Sequence, residues 1–186
     1  KKEISGNAYI NMGTQNTSET SKTSAQDFNQ GLSVNGTINK VSYMTTLNST
    51  ETKGMSEAAG EDFEEDMFSR VNVLQKIGFK ANDKLSFEFF GNYDRIKNTF
   101  DNSFDGIIAN ADDLNNNSFS EQFRIGFLPK YKYNKGEFAI NAGASTIDRV
   151  LNISNSWSGT IDNYNYSGRS ASIDAFNKYN FSKQVY

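Results

Sequence analysis

The residues best suited to chemistry are the carboxylates gathered between Lys53 and Asp66: Glu57, Glu61, Asp62, Glu64, Glu65 and Asp66. Oxygens at that density could surround a calcium ion, which takes about 6–8 oxygen ligands, often from flexible loops. Asp101, Asp105, Asp112 and Asp113 in the next long interval could add ligands if the two loops fold together. The candidate calcium set is Glu61, Asp62, Glu64, Asp66, Asp101 and Asp105. Their spacing matches no EF-hand pattern, and a solvated acidic loop accounts for the same residues. Trp157, Tyr164 and Tyr166 stand in a third polar interval and could stack on a ligand ring or a sugar. A local hydrophobic knot that holds the loop down is the alternative for those three.

Other chemistry is narrowed by composition. The 186 residues include no Cys and no His, so zinc, thiol and histidine-based sites are excluded together with any disulfide framework. Acid–base work would have to come from Asp, Glu, Lys or Tyr. Carboxylate pairs exist, as in glycosidases, but none is flanked by a phrase that would set a catalytic turn. There is no phosphate-binding glycine loop and no nucleophile elbow. The expectation is a protein that is not an enzyme. A net charge of −3 argues against a nucleic-acid partner, which needs a concentrated basic face. Asn-x-Ser/Thr matches such as Asn35-Gly36-Thr37 carry no meaning in a chain so rich in Asn, Ser and Thr.

The elements that would position such loops are long strands. From Phe119 to Tyr133 the odd positions are Phe119, Glu121, Phe123, Ile125, Phe127, Pro129, Tyr131 and Tyr133, and the even ones are mostly polar. Period two is the signature of a strand with one apolar face, here far longer than the usual strand of about 5–6 residues. Similar alternation predicts further strands over Ile4–Gln15, Asp27–Gly36, Asn39–Thr50, Phe68–Lys80, Leu85–Lys97, Glu137–Leu151 and Ser170–Phe181. Short connections fall at Gly36-Thr37-Ile38-Asn39, Ala81-Asn82-Asp83-Lys84 and Asn134-Lys135-Gly136, whose Asn, Asp and Gly suit tight hairpins. Long intervals fall at Asn16–Gln26, Lys53–Met67, Asn98–Ser118 and Asn152–Gly168.

Alternation of short turns with long loops is the pattern of a membrane β-barrel, with short periplasmic turns and longer extracellular loops. No apolar run approaches the roughly 18–20 residues of a membrane-spanning helix, but a barrel strand needs only about 9–11 residues with one apolar face. Phe79, Phe87, Tyr131, Tyr133, Phe138, Tyr179 and Phe181 gather near the short turns; Tyr93, Phe100 and Phe104 lie towards the long loops. On an outward face these would form two interfacial girdles; core packing in a soluble sheet is the other reading. Arg70, Asn72, Lys76, Ser86, Glu88, Asn92, Arg124 and Asn141 occupy the opposite parity and suit a wet lumen. The fold class expected is all-β, an antiparallel up-and-down meander of about eight long strands forming part of a transmembrane β-barrel wall.

Several phrases resemble a known family. Thr52-Lys53-Gly54-Met55-Ser56-Glu57-Ala58, then Phe68-Ser69-Arg70-Val71-Asn72, then Ile77-Gly78-Phe79-Lys80-Ala81-Asn82-Asp83-Lys84-Leu85-Ser86 resemble early barrel strands of TonB-dependent outer-membrane receptors. Asn92-Tyr93-Asp94-Arg95 followed by Asp101-Asn102, and Asp174-Ala175-Phe176-Asn177-Lys178-Tyr179-Asn180-Phe181, are similar to the vitamin B12 (cobalamin) receptor branch of Bacteroidetes type. The resemblance is one of local phrases, without an invariant signature. It implies a barrel of about 22 strands around a plug, in a Gram-negative outer membrane, moved by TonB acting on that plug. Residues 1–186 would then be a partial barrel domain, with the plug and remaining strands outside it. Implied partners are outer-membrane lipid, TonB through the missing plug, and a ligand such as cobalamin or a metal chelate. Cobalamin receptors are similar in using calcium to order extracellular loops.

Two other classes compete. A complete eight-stranded barrel with a structural or adhesive role fits the strand count, although so narrow a barrel is nearly filled by side chains. A soluble all-β module holding carbohydrate on its loops is the other. Open strand edges would invite pairing between chains.

Overall fold

The computed structural model describes residues 3–14, 26–54, 66–101, 115–155 and 158–181. Eight strands follow one another: β1 (Glu3–Gly13), β2 (Asp27–Ile38), β3 (Val41–Thr52), β4 (Phe68–Lys80), β5 (Leu85–Thr99), β6 (Asn117–Tyr133), β7 (Gly136–Asn155) and β8 (Thr160–Tyr179). They form a single sheet in the order β1-β2-β3-β4-β5-β6-β7-β8, each antiparallel to the next. The all-β up-and-down meander is therefore present. Among the described residues β1 and β8 make no contact with each other, so the sheet has two unpaired edges.

Three tight turns join strands at one end. In the first, Ile38 pairs with Val41 across Asn39-Lys40, and Asn39 takes a left-handed φ of 56°. The sequence placed this turn over Gly36–Asn39, but Gly36 stays inside β2, paired with Ile4 and Tyr43. Asn is the side chain that best tolerates left-handed backbone, so the chain reverses at Asn39. In the second turn Asn82 Oδ1 accepts the amides of Lys84 and Leu85, both at 2.9 Å. That short Asn loop closes the hairpin without a glycine. The third turn is Asn134-Lys135, with Gly136 already in β7.

At the other end, one interval among the described residues differs from expectation. Within the interval Asn152–Gly168, residues 152–155 and 160–168 are strand, because β7 and β8 run on together as a hairpin paired from Gly136↔Tyr179 to Asn155↔Thr160. Tyr164 and Tyr166 consequently lie within β8, opposite Leu151 and Arg149, and not in a loop. Composition misled here: the Asn, Ser and Tyr of this segment suit a loop, but its backbone is held by a complete ladder. Most of the other three long intervals (residues 15–25, 55–65 and 102–114) lies outside the described residues.

Cross-strand partners share a face and faces alternate along each strand, so the register sorts every side chain. One face carries Ile10, Leu32, Leu47, Val73, Tyr93, Phe123 and Phe127. The other carries Asn7, Ser33, Asn72, Asn92, Arg124 and Asn141. No second layer covers either face among the described residues.

Candidate functional site: a two-faced wall

The apolar face holds its rings in cross-strand rows. Phe79 stacks on Phe87, Phe87 on Phe127, and Phe127 on Phe89, with centroids 6.4, 6.0 and 4.5 Å apart. Flanking the turns, Tyr133 stacks on Tyr179 at 6.4 Å and Tyr179 meets Phe181 edge-on at 4.8 Å. The strand members of the turn-side aromatic group, Phe79, Phe87, Tyr131, Tyr133, Phe138 and Tyr179, all fall on this face. In the loop-side group Tyr93 does so; Phe100 follows β5 with the opposite parity, and Phe104 lies outside the described residues. Despite the stacking, Phe89, Phe123 and Ile125 remain 52%, 49% and 49% exposed. A run of half-exposed rings across several strands is an unusually large apolar patch for a surface in water.

Charge enters this face towards the loops, with Arg169 of β8 in the row of Phe123, a fuller charged row above it and Lys97 beyond. Val71, Arg95, Glu121, Asp148 and Ser167 stand opposite one another from β4 to β8, directly above the row that holds Val73, Tyr93 and Phe123. Tyr93 marks the border: its ring sits with the apolar rows and its hydroxyl donates to Glu121 Oε1 at 2.6 Å. Nearer the loops, Asn152 Nδ2 donates to Asn117 Oδ1 (2.8 Å) and Asn163 Nδ2 to Asn152 Oδ1 (2.5 Å), an amide ladder across three strands.

The polar face is a connected lattice. Arg70 Nε donates to Asp94 Oδ1 at 2.9 Å and its Nη2 to Oδ2, a bidentate pair with Asp94 only 7% exposed. Such fork-to-fork contacts are among the stronger and more directional polar interactions. Beside it, Arg124 Nη2 donates to Asn92 Oδ1 (3.0 Å), and Asn92 Nδ2 donates to the Val73 carbonyl (3.1 Å). Lys76 pairs with Glu88 at 3.5 Å and Lys130 with Glu137 at 3.1 Å. Arg70, Asn72, Lys76, Phe90, Asn92 and Arg124 line an open hollow of about 460 Å³.

Two glycines let rings lie flat on this face. Gly31 is directly opposite Tyr9, and Gly126 is directly opposite Phe90. A Cβ at Gly31 would meet the Tyr9 ring at 2.5 Å, and one at Gly126 would run into the Phe90 ring. Ring-over-glycine pairs of this kind pin strand register. Tyr9 Oη also reaches Asn48 Oδ1 at 3.3 Å across β2.

At the second turn, Lys80 Nζ donates to Asp83 Oδ1 at 2.8 Å. That hydrogen bond and the adjacent positive charge hold the Asp83 carboxyl below its ordinary value of 3.8.

The sequence-predicted sites meet this geometry unevenly. Glu61, Asp62, Glu64 and Asp105 lie outside the described residues, as does Trp157. Asp66 precedes β4, Asp101 follows β5, and no three potential metal ligands converge among the described residues. Tyr164 and Tyr166 are exposed on the polar side of β8. The Arg70–Asp94 pair went unread, although the turn at residues 81–84 makes opposed positions on β4 and β5 sum to 166, which sets Asp94 one diagonal step from Arg70. Arg95 and Lys97 were missed too; the signal was two cations on the apolar parity of one strand.

Comparisons with protein-family models, with curated proteins and with solved structures find no match for this chain.

Proposed function

We propose that the chain forms a run of the wall of a transmembrane β-barrel, in a TonB-dependent receptor of a Gram-negative outer membrane. The observation that carries this reading is one sheet with an uncovered aromatic face and a hydrogen-bonded ionic face. Lipid is the solvent that suits the first, and a wet lumen the second. The apolar rows have the right height. Phe123 and Tyr133 are ten residues apart, about 33 Å along a strand and about 25 Å of depth at a tilt near 40°. The charged row through Arg95, Glu121 and Asp148 sits where the outer headgroups would begin. Unpaired edges on β1 and β8 favour a wall that continues into further strands over a closed eight-stranded barrel. A carbohydrate-binding module in water would need a layer over Phe89 and Phe127, and the described residues supply none.

In this reading the ligand is cobalamin or a similarly large and scarce molecule, captured by the long loops. TonB then shifts the plug, and the ligand crosses the lumen past the Arg70–Asp94 lattice. The chain contributes wall, lipid contact and loop surface, and no catalysis. Calcium bound by the acidic loops would order them for capture.

The absence of cysteine makes the orientation simple to test. In the complete protein in outer membranes, single cysteines replace Ile125, Phe127, Arg124 or Ser145 and carry a nitroxide. Labels at 125 and 127 should be relaxed by oxygen and shielded from a water-soluble nickel chelate, with the reverse at 124 and 145. Equal accessibility of the two sets would remove the barrel reading. Cells producing the full protein should retain labelled cobalamin, and failure to do so would remove that ligand alone.

A further inference from the structure

We propose that Arg95, Lys97 and Phe119 form a binding site for the phosphorylated headgroup of a lipid, on the outward face at the loop-side border of the apolar rows. The inference rests on the membrane reading above and adds a ligand to it.

On β5 the outward positions run Leu85, Phe87, Phe89, Gly91 and Tyr93, and then turn abruptly to Arg95 and Lys97. The guanidinium carbon of Arg95 lies 5.3 Å from the Phe119 ring centroid, and Lys97 Nζ lies 5.6 Å from it. One ring thus gathers two cations. Like charges gathered at one ring repel, and an anion that reaches both relieves them. The chain does not provide that anion among the described residues, where neither cation forms an ion pair. Glu121 stands opposite Arg95 in register, with Oε1 accepting the Tyr93 hydroxyl at 2.6 Å, and Asp148 follows in the same row; neither carboxylate lies within ion-pair distance of Arg95 or Lys97. Glu51 is two strands from Lys97, across Ser69, a separation of about 10 Å at roughly 4.8 Å per strand.

The surroundings suit an amphiphile. An open groove of about 840 Å³ adjoins the two cations and the Phe119 ring, with Phe28 and Met67 in its apolar lining and with Lys53 as a third cation beside the one carboxylate, Glu51. Immediately below lie Val73, Tyr93 and Phe123, the first of the apolar rows. A phosphate at Arg95 and Lys97 would therefore hang its acyl chains down a surface already shaped for them. A free phosphate could use the cations but not the rows beneath, so the proposal commits to the lipid.

The test uses the complete protein in nanodiscs of phosphatidylcholine containing a minority of diphosphorylated lipid A, followed by native mass spectrometry. The wild type should leave the disc with lipid A attached, and the Arg95→Gln/Lys97→Gln variant should retain it roughly thirtyfold less, about fivefold for each cation. Lys97→Arg should keep most of the retention, and Lys84→Gln at the opposite rim all of it. Equal retention by the double variant and the wild type overturns the site. So does loss of the lipid adduct to inorganic phosphate at concentrations that leave acyl chains undisturbed. Gel mobility before and after heating shows whether each variant is folded; if the double Gln variant is not, Arg95→Gln and Lys97→Gln are measured singly, each expected to retain about fivefold less and each overturning the site if retention is unchanged. A nitroxide at residue 125 separates the two levels. If it still reports lipid while lipid A binding ignores the cations, the headgroup site is wrong and the barrel reading stands.

Discussion

The Phe127 face and the Arg124 face are separated by one thickness of backbone, yet they are built on opposite principles. On the first, side chains touch as stacked rings and leave large apolar areas open. On the second, nearly every charged group named here is tied to a partner: Arg70 to Asp94, Lys76 to Glu88, Arg124 to Asn92. Polar groups need defined partners because an unmet donor is costly. Rings need only surroundings that do not mind apolar surface. The difference teaches where specificity lies: the polar lattice is tuned pair by pair, and the ring face is tuned as an area.

The strongest way to break that comparison is to exchange the two chemistries. Under the proposed membrane reading, Phe127→Arg puts a charge at the middle of the apolar rows and should lower stability by about 2–4 kcal/mol, whereas a change on the polar face such as Ser145→Arg should cost close to nothing. Urea unfolding of the complete protein in lipid vesicles reads both, and equal costs would erase the distinction between the faces. Next comes the lattice. Asp94→Ala strips Arg70 of its bidentate partner and should cost about 1–2 kcal/mol, discounted because the Arg70 side chain is 47% exposed. A double-mutant cycle with Arg70→Ala should recover most of that energy as coupling; a coupling near zero would show that the pair is ornamental.

A steric test sharpens the same face. Gly126→Ala drives a methyl into the Phe90 ring and should cost about 1 kcal/mol. The penalty should fall in a Phe90→Leu background, and if it does not, ring-over-glycine contact is not what holds that register. The smallest effect lies at the turn, away from both faces. The Asp83 carboxyl is held low by Lys80, so its contribution is complete above about 3.8 and is lost as pH falls through the lower folded value. An NMR titration should place its midpoint below 3.8, and Lys80→Gln should return it towards the ordinary range.

Much of the wall was legible before any coordinates. Strand β4 has the bounds read from its alternation, Phe68 to Lys80, since Val71, Val73, Ile77 and Phe79 leave no other period. The polar set from Arg70 to Asn141 falls on one face as its parity required. Legibility failed where composition and pairing disagree. Residues 160–168 look like a loop because neither parity is consistently apolar, yet they extend β8 against β7. The first turn was misplaced because Gly36 is the better turn residue by type, while the pairing of Ile38 with Val41 puts the reversal at Asn39-Lys40.

The division of this chain into a greasy side and a wet side was determined by sequence alone. An extended trans backbone turns every second side chain to the same face, whatever the strand pairs with. Which distant residues meet was decided by the tertiary structure. Arg95 and Lys97 share the Phe119 ring, and Arg70 finds Asp94, only because the turns set one register between β4, β5 and β6. A slip of a single residue would send each of those side chains to the opposite face.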